Sequence, residues 1–355
     1  MNRLILIGNG FDLAHGLKTS YADFIDWYWN EWGKRLLRGS GRVFDDGICS
    51  FKLKGNIGLA DWYNVWHFHY VKELQYGPWK EDEVVEIAKQ DRNLCDFTIK
   101  SAFFERICNE VEKGWVDIED IYYALLKNGS NPKQLNDELD LIKDKLIEYL
   151  NELQKSFNSS EILIPNIQKQ IFDPFCKEDI AIDSMDKYDD VLPNRIVVLN
   201  FNYTKTADKY IGTKNFAVNH IHGSLSKPES VIFGYGDERD DEYDVLMKKN
   251  DNEYLRHIKS FRYLEAPNYR EMLSFIESAP YQICIMGHSC GLSDRTLLAT
   301  LFEHRNCVSI KPYYHRKEDG SDNYRELVQN IARNFTSPSL MRDRVVRKDR
   351  CEPLG

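Results

Sequence analysis

Four consecutive apolar residues, Leu4-Ile5-Leu6-Ile7, run directly into Gly8-Asn9-Gly10-Phe11-Asp12-Leu13-Ala14-His15-Gly16. A run this short is too brief for a signal-peptide core, and glycines at i and i+2 straight after it predict a buried first strand of an α/β domain that turns sharply. Glycine there lets backbone approach a bound group that a Cβ would block, and amides at the following helix start can face an anion. Gly8, Asn9, Gly10 and Phe11 are therefore the expected contacts of a nucleotide. The match to the G-x-G-x-x-G fingerprint is partial, because Leu13 stands where the third glycine belongs and Gly16 comes three residues later. A tight turn without a ligand is the competing reading of the same residues.

The remaining strand signals lie in the last third of the chain. Ile196-Val197-Val198-Leu199 leads to Asn200-Phe201-Asn202-Tyr203-Thr204, and Ala217 to Ile221 leads to His222-Gly223-Ser224. Val231-Ile232-Phe233 leads to Gly234-Tyr235-Gly236-Asp237, and Ile283 to Met286 leads to Gly287-His288-Ser289-Cys290-Gly291. Short apolar runs without alternation predict strands buried on both faces, hence a mostly parallel sheet whose ligand sits beyond the strands' carboxyl ends. A helix capped by Ser293 or Asp294, a strand Val308 to Ile310 and a helix through Tyr324, Leu327 and Ile331 complete this core.

Between the first and second core strands the pattern turns helical. Ser20 and Asp23 form a capping-box-like start to an aromatic helix ending near Gly33. Helical segments follow at Trp62–Leu74, Phe97–Glu112, Ile118–Leu126 and Leu135–Leu153. The expected organisation is a discontinuous Rossmann-like core of residues 1–40 and 190–335, a helical insertion 41–189, and a basic tail 336–355 read as a solvated tail or helix face.

Composition excludes more than it assigns. A chain of 355 residues exceeds a usual single core, and its net charge of −9 opposes nucleic-acid or anionic-membrane partners. No apolar run approaches the roughly 18 residues a membrane span requires. Eight cysteines without a C-x-x-C imply neither zinc ribbon nor disulfide framework and predict a reducing cytoplasm. His67-x-His69 and His220-x-His222 lack cysteine or acidic partners at metal spacing, so no metal is expected.

The series GNGFDLAHGLKTSY, WVDIED, LNFNYT, HIHGS, FGYGD and MGHSCGLSDRTL resembles the AbiH family of bacteriophage abortive infection proteins over nearly the whole chain. The order of motifs also resembles the sirtuin-like Rossmann domains that cleave NAD. That resemblance implies a phosphate loop at Gly8-Asn9-Gly10-Phe11, a ribose- or water-holding amide at Asn202, a catalytic imidazole at His222 and a late turn at Gly287-His288-Ser289. Thr204 departs from the aspartate of that pattern, and the paired cysteines of its zinc module are absent, which argues against protein deacylation.

The chemistry accords with this expectation. Breaking a nicotinamide–ribose bond releases a neutral pyridine, so the paired carboxylates of ordinary glycosidases are not required. His222 would serve as base, Asn202 would orient, and Asp12 would face the cationic centre, bind a ribose hydroxyl or simply cap the first helix. Gly223, Ser224, Gly287, His288, Ser289 and Asp294 would complete a nucleotide site. The expected function is NAD binding and hydrolysis in phage defence, with a phage-derived trigger or a homo-oligomer as further partners. Two alternatives stand: a nucleotide sensor without turnover, and a serine hydrolase in which G-x-S-x-G supplies Ser289.

Overall fold

The computed structural model describes residues 1–38, 42–54, 81–90, 95–111, 117–157, 163–181, 187–211 and 215–355. The chain divides into two compact units, Met1–Thr19 with Leu150–Gly355, and Ser20–Tyr149.

The first unit begins as the sequence predicts. Strand β1 (Asn2–Ile7) is buried throughout and passes at once into α1 (Asn9–Ala14), with Gly8 at the N-cap position.

The second unit contains α2 (Tyr21–Arg38), β2 (Val43–Asp45), β3 (Cys49–Leu53), α3 (Glu81–Gln90), β4 (Cys95–Ile99), α4 (Ala102–Val111), α5 (Ile118–Lys127) and most of α6 (Pro132–Phe157). The expected capping box is present, with the Asp23 amide donating to Ser20 Oγ at 3.1 Å and the Ser20 amide to Asp23 Oδ2 at 3.3 Å. Helix α2 runs past Gly33 to Arg38, because nothing but the glycine itself interrupts it and Leu36 extends its buried face. Besides the helices expected of the insertion, this unit holds an antiparallel sheet of β2, β3 and β4 that the sequence reading missed. Cys95–Ile99, three of whose five residues lie in the segment expected to be helical from Phe97, alternates between more and less buried positions with the period of a strand. The helix expected at Trp62–Leu74, and His67 and His69 with it, lie outside the described residues. Tyr28 and Trp29 pack against Phe104, and Trp27 against Tyr149, within this unit.

The rest of the first unit follows as α7 (Pro165–Phe172), β5 (Ile196–Asn200), β6 (Phe216–His220), α8 (Asp241–Lys248), α9 (Lys259–Arg262), α10 (Asn268–Ser278), β7 (Tyr281–Met286), α11 (Arg295–Phe302), β8 (Cys307–Tyr313), α12 (Tyr324–Arg333) and α13 (Pro338–Arg344). Five strands form a parallel sheet in the order β6-β5-β1-β7-β8. The chain thus winds outward from β1 in both directions, and the order reverses between β1 and β7, the switch point of a doubly wound α/β fold.

Alternation along β1 explains the layers. Leu4 and Leu6 share one apolar cluster with Phe275, Leu298 and Ile331 from α10, α11 and α12, whereas Ile5 and Ile7 share another with Phe11, Ile167 and Ile171 from α1 and α7. Successive side chains point to opposite faces, so a sheet covered on both sides needs apolar residues at every position. Ile232 and Phe233 are buried but form no strand; the Ile232 amide donates instead to the His222 carbonyl. The basic end carries Arg342 and Arg344 on helix α13, with Arg342, Arg347 and Lys348 exposed, but it is not a free tail. It runs beside edge strand β8, with the Val346 amide on the Ile310 carbonyl and the Leu354 amide on the Tyr314 carbonyl, which covers an edge that would otherwise expose unpaired backbone. Among the described residues no helix is long and apolar enough to cross a membrane.

Candidate functional site

At the carboxyl end of β1 the glycine loop meets the turn after β7. The Gly10 amide donates to the Gly287 carbonyl at 2.9 Å, and the Phe11 amide to Gly8 O at 2.9 Å. A Cβ at Gly10 would lie 2.9 Å from Gly287 Cα, and one at Gly8 2.9 Å from His288 Cα. Gly287 itself has φ +78, and its Cβ would fall 2.1 Å from the Phe11 nitrogen. The space that a Cβ on Gly8 or Gly10 would take is thus filled by the protein's own backbone, which also engages the Gly10 and Phe11 amides. Phe11 is likewise a core residue, packed on His15 and Tyr210. Asn9 stands at the surface with its Oδ1 accepting from Thr19 Oγ1.

Beyond β5, the two asparagines take different roles. Asn200 is fully buried; its Nδ2 donates to Thr204 O and contacts His220 Nδ1, and its Oδ1 accepts from the Asn202 amide at 2.8 Å. It organises the loop's backbone. Asn202 is half-buried and reaches across to β1, donating from Nδ2 to Gly8 O at 2.9 Å.

Asp12 lies inside α1 and not at its cap, which Gly8 occupies. Its Oδ2 accepts from Thr204 Oγ1 at 2.6 Å, while Oδ1 is buried without a partner among the described residues. Burial pushes its carboxyl up to about 6, against the hydrogen bond from Thr204 and the neighbouring polar side chains of Thr206 and Asn202, which act the other way. Thr204 is therefore the direct partner of Asp12.

A second polar group centres on Asp294. This residue occupies the N-cap position of α11, but its side chain makes no capping bond. It turns inward: Oδ1 lies 2.8 Å from Lys259 Nζ and 3.3 Å from His222 Nε2, and Oδ2 lies 3.6 Å from His288 Nε2. Lys259 is 0% exposed and His222 4%. The Tyr263 hydroxyl is 3.1 Å from His222 Nε2, and the Phe201 ring packs edge-on against both imidazoles. The Cys290 amide donates to His288 Nδ1, which puts the His288 proton on Nε2, facing Asp294. Burial and then the Lys259 charge hold the His222 imidazole below its ordinary value, so it is neutral at pH 7. Burial alone would raise the Asp294 carboxyl, but Lys259 and His222 overcome it and hold it well below the carboxylate range.

Lys259 and Tyr263 escaped the sequence reading. Lysine in a short polar stretch carries no periodic signal. The usable clue was the glycine pair in Gly234-Tyr235-Gly236: a Cβ at Gly234 would lie 1.9 Å from His257 O, so another chain must pass there. That chain is residues 257–259, held by Tyr235 N on His257 O and Lys259 N on Tyr235 O, and it delivers Lys259 to Asp294.

The remaining expected site residues serve the scaffold. Gly223 has φ +82, and a Cβ there would meet Ser230 O at 2.1 Å; the Ser224 amide donates to Ser230 Oγ, so both close the 223–230 turn. Ser289 is exposed, its carbonyl accepts from Asn330 Nδ2, and the neighbouring His288 is committed to Cys290 and Asp294. The structure thus brings His222, His288 and Asp294 together, joins Asp12 to Thr204 and Asn202 to Gly8, and leaves Ser289 outside these groups.

A family model described as bacteriophage abortive infection AbiH matches residues 4–315. No curated protein and no solved structure matches the chain.

Proposed function

We propose, on the premise that the chain belongs to the bacteriophage abortive infection AbiH family, that it acts in anti-phage defence by binding NAD or a related nucleotide and hydrolysing its N-glycosidic bond. The observation that carries this reading is the buried assembly of His222, Asp294 and Lys259 where the ends of β6 and β7 converge. In that arrangement Asp294 accepts from His222 Nε2–H, which leaves Nδ1 as the basic nitrogen. The base would take a proton from water as its oxygen bonds to the ribose anomeric carbon, while the C–N bond breaks and its electron pair leaves with the neutral pyridine. The unpartnered Asp12 Oδ1, buried one turn from the glycine loop, fits a ribose hydroxyl as its missing donor. The motif order shared with the sirtuin-like domains supports the same substrate class.

Incubating the protein with NAD and separating the products tests this reading. Nicotinamide release is expected, and His222→Ala should lower the rate by about 10²–10⁴-fold while the protein stays folded. An equal rate in the folded variant would remove His222 from the chemistry. A second reading, nucleotide sensing without turnover, is favoured by the closed Gly10–Gly287 contact, and NAD binding in calorimetry without product would select it.

A further inference from the structure

The turn after β7 holds a conformation that its sequence does not favour. Cys290 has φ +56, in the left-handed region that residues other than glycine enter only at a cost. It is fully buried, and it packs in the apolar cluster of Leu297, Leu298 and Ile331, where glycine would leave a gap. Two asparagines of α12 fix this turn from outside. Asn330 and Asn334 lie four residues apart and so on one helix face, and their Nδ2 atoms donate to the carbonyls of Ser289 at 2.9 Å and Cys290 at 3.0 Å. Asn334 is fully buried, and its Oδ1 has no hydrogen-bond partner among the described residues. A left-handed cysteine and a half-satisfied buried amide are two unfavourable features that meet at one peptide.

Together they fix the direction of one N–H. Held in this turn, the Cys290 amide donates to His288 Nδ1 at 2.9 Å, so the ring proton sits on Nε2. Nε2 faces Asp294 Oδ2 at 3.6 Å, while Asp294 Oδ1 meets His222 Nε2 at 3.3 Å and Lys259 Nζ at 2.8 Å. In the other tautomer a lone pair would confront that carboxylate in a buried setting, and the repulsion would turn it off the line to His222.

We propose that Asn334, with Asn330 beside it, is a positioning residue: it locks His288 in the Nε2–H tautomer through Cys290, and His288 in turn keeps Asp294 aligned on His222. The consequence for catalysis rests on the reading of His222 as the base in NAD cleavage; the lock itself does not.

Proton–nitrogen correlation spectra of the full chain with labelled imidazoles test the lock, with His288→Gln assigning the His288 signals. At about pH 8, where an ordinary imidazole is neutral, the parent should show a protonated Nε2 and a bare Nδ1 at His288. Any other tautomer there overturns the inference, whether or not a variant folds. Asn334→Ala removes the bonds to Cys290 O and Asn330 O, lets Cys290 leave the left-handed region, and should give mixed tautomers. It should also lower kcat for nicotinamide release about tenfold or more with KM unchanged, because the misaligned carboxylate acts on the base and not on the bound substrate. If that variant does not fold, Asn330→Ala, a half-buried change that loses only the bond to Ser289 O, should give partial mixing by the same signals. Signals like the parent's in the folded variant, or mixed tautomers with kcat unchanged, overturn the inference. A parent that releases no nicotinamide overturns the NAD reading instead, and the spectra then decide the lock alone.

Discussion

Asp12→Asn should remove a pH dependence of stability that one carboxyl imposes on the core. In the folded chain that carboxyl is pushed from 3.8 up to about 6 by burial. A shift of about 2 units at roughly 1.4 kcal/mol per unit corresponds to about 3 kcal/mol. The sign follows from the direction. Because the folded pKa lies above the unfolded one, the native state holds the extra proton between them, and stability falls as pH rises from about 4 through about 6. Above that window the fold carries an ionised, half-satisfied carboxylate, with Oδ2 on Thr204 and Oδ1 unpaired.

Asparagine keeps the shape and cannot ionise, so the stability difference between variant and parent should swing by about 3 kcal/mol toward the variant between about pH 4 and pH 7. Comparing the two proteins cancels the other titrating groups, including His222. All seven tryptophans lie between residues 27 and 115, so fluorescence follows the Ser20–Tyr149 unit and misses this core. Hydrogen exchange of the β1 and β5 amides, corrected for the intrinsic pH dependence, reads the right unit. A difference that stays flat across the range would show that Asp12 is not desolvated as its burial implies.

Lys259→Met should cost about 3–5 kcal/mol by leaving Asp294 without its buried cation, and it should raise the His222 pKa, seen in imidazole NMR titration, because the lysine charge no longer opposes protonation. Gly287→Ala should lower stability by at least about 1–3 kcal/mol, since φ +78 is strained for alanine and the new methyl would strike the Phe11 nitrogen; Gly10→Val should likewise lower the melting temperature, and a normal melt in either would refute the backbone packing. Asn200→Ala should cost about 1–3 kcal/mol by stranding loop backbone that its amide satisfies, whereas Asn202→Ala should spare stability more and abolish NAD cleavage. Loss of cleavage in the Asn200 variant alone would reverse the two roles.

The parallel core was legible because burial on both faces writes itself into consecutive residues: β1, β5, β6, β7 and β8 all appear as short apolar runs ending in polar turns. Four of the six AbiH motifs were legible for the same local reason, since each follows a strand end, at β1, β5, β6 and β7; WVDIED instead opens a helix at Ile118, and FGYGD follows a buried segment that forms no strand. Lys259 was not, because its meaning depends on a carboxylate 35 residues away that reads locally as a helix cap. The sequence likewise showed glycines at 8, 10 and 287 without showing that they exist for one another. Adjacency of β1 and β7 along the sheet brings those backbones within hydrogen-bond distance. Periodicity encodes which faces are buried, and only the strand order decides which turns meet, and so whether a glycine admits a ligand or another part of its own chain.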